Sequence, residues 1–156
     1  MLRYCRATTW HINFLMMLSM IPTNLVRNIS EVTRRIRAAE IAAGREQSSV
    51  SLLAVSKTKP AELIRLAHAY GQIAFGENYA QEMVEKAQLL ADLPLEWHFI
   101  GPIQSNKTAG IATYCDWVHS VDRLKIARRL SEQRPANKNP LNVLIQVNVS
   151  REPSKS

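Results

Sequence analysis

Five short apolar runs, each parted from the next by a stretch of helical periodicity, constrain this chain most. They span 50–57, 73–77, 96–100, 116–121 and 141–149, lengths that suit strands. Between the first two, Leu63, Ile64 and Ala67 line one face of a helix over 60–70, with Gly71 as its stop. Met83, Val84, Ala87 and Leu90 form the apolar face of the next helix, and Asn78 with Gln81 has capping-box spacing at its start. Ser105 or Asn106 can cap a short helix, and Asp122 one that carries Leu124, Ala127 and Leu130. A first amphipathic helix over 24–43 precedes all of these, with Leu25, Ile29, Val32, Ile36, Ala39 and Ala43 as its stripe. Thr23 or Asn24 can cap it and Gly44 can end it; Arg34, Arg35 and Arg37 point away from the stripe, which suits a helix on the outside of a sheet. Strands that alternate with helices imply a parallel sheet with right-handed crossovers. The alternative, a doubly wound dinucleotide-binding sheet, lacks its mark: no Gly-x-Gly-x-x-Gly follows the first run.

The first run ends in Ser56-Lys57-Thr58-Lys59-Pro60. Alternate strand side chains share a face, so Leu53, Val55, Lys57 and, in a longer strand, Lys59 form one row. Lys57 then extends an inward-facing row to the strand's C-terminal end, where parallel α/β folds place their ligands. Pro60 suits the first turn of the helix that follows. Burial and a neighbouring cation both favour a neutral amine, the form that attacks an aldehyde to give a Schiff base. A solvated lysine at a strand end satisfies the same pattern, and this stretch alone leaves both readings open.

Three further motifs accompany it: Phe75-Gly76-Glu77-Asn78-Tyr79, Trp97-His98-Phe99-Ile100-Gly101-Pro102-Ile103-Gln104-Ser105-Asn106-Lys107, and Asn142-Val143-Leu144-Ile145-Gln146-Val147-Asn148. In their order and spacing, from about Val50 to Ser156, the chain resembles the pyridoxal phosphate homeostasis protein family, the YggS/PROSC-like group. The resemblance implies an α/β fold of (β/α)8 TIM-barrel type, similar to the barrel domain of alanine racemase. Here it is incomplete, with about five βα units after the N-terminal helix. It also implies pyridoxal 5′-phosphate as cofactor, held as a Schiff base on Lys57, and a role in intracellular homeostasis of that cofactor without catalytic turnover. Two alternatives stay open. One is a pyridoxal phosphate-dependent enzyme of the alanine racemase type, which takes a second acid/base from a separate C-terminal β domain; nothing around Tyr79 or Tyr114 supports either in that role. The other is a truncated, nonfunctional remnant. By the same resemblance three more βα units should follow, including the Gly- and Ser-containing segment that holds the phosphate, which nothing in 1–156 matches. A chain carrying those units is expected to bind the cofactor more tightly.

Asn78, at the end of the second strand, can bond the cofactor's ring or hydroxyl, or serve as an N-cap. His98 faces away from Trp97 and Phe99; it can stack on a pyridine ring or fill the barrel interior. Gln146 and Asn148 share a strand face and suit a hydrogen-bond network in the lumen.

The 156 residues fit one domain but fall short of the roughly 250 of a typical (β/α)8 barrel. The net charge of +7 is dispersed, without a basic run or interleaved aromatics, so a nucleic-acid partner is not expected. Two cysteines, Cys5 and Cys115, provide neither a disulfide framework nor a metal-ligand set, and a reducing cytoplasm fits them. Cys115 reads as a small core residue. In residues 1–21, Arg3 and Arg6 precede an apolar patch from Ile12 to Ile21, in the manner of a signal peptide. The patch is too short for a membrane span, and Pro22-Thr23-Asn24 follows in place of a small-residue cleavage site. Residues 1–21 therefore read as a dispensable extension, either disordered or a misassigned start, and 22–156 as the partial barrel domain. A monomer with a small-molecule partner and no membrane contact is expected.

Overall fold

The computed structural model describes residues 23–150. The readings of 1–21 lie outside them, as do residues 151–156. The chain divides into two compact units between Val50 and Ser51.

The first unit is built on helix α1, Thr23–Ala42. Asn24 lies inside this helix rather than at its cap, and its Oδ1 accepts a bond from Arg27 at 3.3 Å. Gly44 closes the helix at φ +63°, a left-handed backbone that glycine adopts without steric cost. The Arg45 N–H reaches back to the Glu40 carbonyl at 2.9 Å. Glu40 is buried and accepts the N–H groups of Val50 (2.7 Å) and Ser48 (3.1 Å), as well as both of its contacts with Arg37 at 2.6 Å. Arg37 is thus a buried carboxylate's partner rather than a purely outward residue. Loss of water pulls the Glu40 carboxyl upward, but the bonds from Arg37, Val50 and Ser48 outweigh it and hold the group below its usual range. A carboxyl depressed in the folded state stabilises above its unfolded pKa, and that contribution is lost as pH falls through the folded value.

The second unit is a five-stranded parallel sheet: β1 Ala54–Val55, β2 Ala74–Glu77, β3 Glu96–Phe99, β4 Trp117–Val121 and β5 Asn142–Ile145. The helices between them are α2 Ala61–Ala69, α3 Ala80–Leu89, α4 Thr108–Tyr114 and α5 Leu124–Gln133, with a 3-10 turn, Ser105–Lys107, before α4. Strand order follows chain order without reversal, β1-β2-β3-β4-β5. Right-handed crossovers between such neighbours place every helix on one face, as in a barrel wall; a doubly wound sheet reverses its order at a switch point. The expected α/β barrel type, incomplete, is what the chain forms.

On the helix-covered face Phe75, Trp97, Phe99 and Val118 meet Ile64, Met83, Ile111, Ile126 and Leu130, all buried. Cys115 joins this core as expected; burial, then the charge of Asp116, pushes its thiol far above the usual range. The other face carries Val55, Gly76, His98, Trp117 and Asn142 in one register row.

Several boundaries differ from the sequence reading. β1 is an edge with one neighbour, so its ladder covers only Ala54–Val55, not 50–57. The Gln72 side chain supplies bonds that a longer ladder would have made, to the carbonyls of Leu52 (2.8 Å) and Ala74 (2.6 Å). β5, the other edge, is exposed along its length. Asn78, Ser105, Asn106 and Asp122 cap no helix: Tyr79, Lys107 and Arg123 hold the N-cap positions of α3, α4 and α5, without side-chain cap bonds. Asp122 is paired with Arg123 instead. In α5 the buried residues are Ile126 and Leu130, while Leu124 is exposed, because the inward stripe starts later than its first leucine.

Arginines knit the loops to this frame. Arg123 donates to the Ile103 carbonyl (2.9 Å), Arg129 to Ser105 (2.9 Å), and Arg134 to Ala112 and Cys115 (both 2.7 Å). Part of the positive charge therefore satisfies carbonyls at helix and loop ends.

Beyond β3 the chain passes against the end of β2. A Cβ on Gly101 would lie 2.1 Å from the Asn78 carbonyl oxygen and 2.8 Å from its Cα. Both obstacles are backbone, which no rotamer change removes. Gly101→Ala should therefore cost about 3 kcal/mol or more, at the upper end of overpacking effects. Urea unfolding measures it, and a loss below about 1 kcal/mol would show that the two strand ends separate freely.

Candidate functional site at the C-terminal ends of β1 and β2

The residues after β1 form a tight turn, closed by the Lys59 N–H on the Ser56 carbonyl at 3.0 Å. Thr58 stands in it at φ +63°. A β-branched residue is a steric outlier there, and the surrounding bonds must over-determine it. Lys57 and Lys59 are both exposed, and the side chain of Lys57 has no hydrogen bond or ion pair among the described residues. The desolvation expected from the sequence is absent, because the uncovered face is open here; Val55 in the same row is 53% exposed.

Beneath the turn lies a buried ionic cluster. The ammonium of Lys86, on α3, donates to Glu77 Oε1 (2.6 Å), to Glu82 Oε1 (2.7 Å) and to the Ser56 carbonyl (2.7 Å). The Ser56 hydroxyl also donates to Glu77 Oε1 at 2.6 Å, and the Thr58 N–H to Glu82 Oε1 at 2.6 Å. The side chains of Lys86 and Glu77 are 7% and 0% exposed.

Asn78 follows Glu77 at the end of β2. The register pairs Val55 with Gly76; Lys57, in the turn after β1, and Asn78, in the bend after β2, each follow that pair by two residues at the C-terminal ends of neighbouring strands. Asn78 Oδ1 is buried and has no partner among the described residues, an arrangement that invites a donor from outside the chain. A cavity of about 430 Å³ opens beside it, lined by Asn78, Gln81, Phe99, Pro102, Gln104 and Lys107 among others. A second, of about 420 Å³ and touched by Glu96, Asp116 and Arg134, lies at the strands' N-terminal ends, where barrels invest in stability rather than ligands.

His98 lies one step deeper than Lys57, level with Val55. Its Nε2 is 2.6 Å from Glu96 Oε1 and its Nδ1 is 2.9 Å from His119 Nε2. The carboxylate favours a proton on Nε2, which leaves Nδ1 to accept from His119. The ring of His98 stacks on Trp117, with centroids 5.9 Å apart and planes at 1°. Withdrawal from water, then the proximity of His98, lowers the pKa of His119. No direct contact joins Lys57, Asn78 and His98 to one another among the described residues. Gln146 is exposed and extends β5 through its N–H to Val121 (2.9 Å). Tyr114 lies on α4, where its hydroxyl accepts from Gln88 at 2.9 Å, and Tyr79 is 59% exposed. Among the described residues no cluster of three or more His, Cys, Asp or Glu is placed to hold a metal ion, and no helix is long and apolar enough to cross a membrane.

Residues 27–152 match the family described as alanine racemase, N-terminal domain. The chain belongs to that family. Two curated members, both called pyridoxal phosphate homeostasis protein, come from Pseudomonas aeruginosa and Escherichia coli K12. The first is 65% identical over 86% of this chain and 58% of its own length; the second is 52% identical over 85% and 58%. The chain thus spans somewhat over half the length of these relatives. Among solved structures, PipY of Synechococcus elongatus with PLP bound is 46% identical, with a TM-score of 0.53 over 62% of this chain and 46% of that one. An unknown protein from Bifidobacterium adolescentis is 34% identical, with a TM-score of 0.65 over 70% of this chain and 49% of that one.

In this member of the alanine racemase N-terminal domain family, sequence reasoning missed the supporting residues Ser56, Glu77, Glu82 and Lys86. Two signals for them exist. Glu82 and Lys86 have the i,i+4 spacing of a helix ion pair, and Glu77 is an acid inside an otherwise apolar strand.

Proposed function

We propose that this chain binds pyridoxal 5′-phosphate through a Schiff base on Lys57 and serves in the homeostasis of that cofactor, without turning over a substrate. The observation that carries this reading is a solvent-accessible Lys57 and a buried Asn78 Oδ1 without a partner among the described residues, both at the C-terminal ends of neighbouring strands. The residues present fit the group. A cavity in the size range of small-molecule sites lies beside Asn78, lined by neither Lys57 nor His98. When bound, the cofactor supplies an aldehyde carbon to a primary amine. Lys57 offers that amine on a turn whose flanking residues are anchored. Asn78 offers an acceptor for a ring hydroxyl, and His98, within its chain to Glu96 and His119, supports the floor of the site. The names of the curated relatives and the PLP in PipY support the same reading.

The expectation of no turnover is supported by the names of the curated relatives, both homeostasis proteins. Tyr114, one candidate for a second acid/base, lies on α4 with its hydroxyl bonded by Gln88. The chain mixed with pyridoxal phosphate and L-alanine should form no D-alanine above the protein-free rate; faster racemisation would favour the enzyme reading. A reducing cytoplasm suits the buried thiol of Cys115, and a monomeric carrier without nucleic acid or membrane completes the proposal.

Asn78→Ala tests the site. Loss of one hydrogen bond near 1.4 kcal/mol weakens binding about tenfold. Fluorescence titration with pyridoxal phosphate measures it, and an unchanged Kd would remove Asn78 from the site.

A further inference from the structure

We infer that Lys86 is a positioning residue for Lys57: it fixes the turn that presents the amine. This rests on the cofactor reading above only for its functional consequence. An ammonium has three N–H donors, and those of Lys86 are all spent, on the Ser56 carbonyl, Glu77 and Glu82. Two of these partners flank Lys57. Ser56 is the residue before it, and Glu82 accepts the N–H of Thr58, the residue after it. The peptide groups on both sides of Lys57 are therefore tied to one buried cation. That tie also accounts for Thr58, which stays in the left-handed region because its N–H has a carboxylate waiting there. A buried ion pair is a weak source of stability, since apolar residues of the same volume serve as well. What this cluster provides in addition is a single geometry for a turn that is otherwise exposed.

The consequence concerns rate and site of reaction. A primary amine condenses with an aldehyde by forming C=N and releasing the carbonyl oxygen as water. The neighbouring site accelerates this only when the amine stands in the correct place, and a misplacement of about 1 Å costs up to a hundredfold. Lys59, two residues on in the same exposed turn, is the internal control, because general loosening affects both amines alike.

The test uses Lys86→Met and Glu82→Met, each checked for a cooperative melt. Glu82 is partly exposed, with 25% of its side chain accessible, so its variant keeps the proposal testable where Lys86→Met fails to fold. The first readout is hydrogen exchange at the Thr58 and Lys59 amides, measured without cofactor. Protection there should fall at least about tenfold while the β2 and β3 amides stay protected. The second is the ratio of Lys57 to Lys59 labelling by pyridoxal phosphate and borohydride, which should fall about tenfold or more. Folded variants with wild-type protection of the turn would overturn the inference. So would a loosened turn with an unchanged labelling ratio. Wild-type protein that is not labelled at Lys57 would instead contradict the cofactor reading, and amide exchange would then decide the anchoring by itself.

Discussion

Lys57→Ala should cut the pyridoxal phosphate adduct trapped by borohydride to the low level of an ordinary exposed lysine and leave the fold unchanged. The two halves of this expectation have separate causes. The Lys57 side chain is exposed and unpartnered among the described residues, so its truncation costs within about 0.5 kcal/mol, as at an ordinary surface position. The adduct, by contrast, needs the amine that follows β1 by two residues; Lys59 stands two residues further on, at the close of the turn on Ser56. Intact mass after reduction and a urea melt of the same sample measure both halves. An adduct of wild-type yield in the variant would show that another amine carries the cofactor.

Lys86→Met should destabilise the chain by about 3–5 kcal/mol, the range for removing one partner of a buried ion pair. The Glu77 side chain is fully buried, and its Oε2 already has no partner among the described residues. Without the ammonium, Glu77 Oε1 retains only the Ser56 hydroxyl among the described residues, and the Ser56 carbonyl loses its lysine donor. The cost is that of an uncompensated buried carboxylate, so a second change that removes the carboxylate should recover most of it. Lys86→Met with Glu77→Leu is therefore expected to be more stable than Lys86→Met alone. Denaturant midpoints at constant m-value report the wild type and the two variants. A loss below about 1 kcal/mol in Lys86→Met, or no recovery in the double variant, would mean that water or another cation replaces the ammonium.

These two lysines also mark what was legible in the sequence. The parallel sheet was, because alternation of strand and helix leaves few topologies and the stripes Leu63–Ile64–Ala67 and Met83–Ala87–Leu90 give their faces directly. Lys57 was singled out because it continues the row of Leu53 and Val55 to the C-terminal end of the first run. Lys86 was not, because periodicity sorts residues by hydropathy, and a lysine beside an apolar stripe reads as solvated. Its burial depends on Glu77, Glu82 and Ser56, which meet it only through tertiary contact. Asn78 shows the limit from the other side. Capping-box spacing with Gln81 was present, but the helix starts after Tyr79, and the amide oxygen is buried without a partner among the described residues. His98 was correctly set opposite Trp97 and Phe99; that its ring lies on Trp117 depends on the β3–β4 register, which no local pattern encodes.

Peptide mapping of the wild-type protein, after mixing with pyridoxal phosphate and reduction with borohydride, tests the central claim most directly. The expected result is modification of the peptide that contains Lys57, mainly on Lys57 itself and well above any on Lys59, Lys86 or Lys107. Modification mainly on Lys59 or any other lysine, with Lys57 untouched, would contradict it.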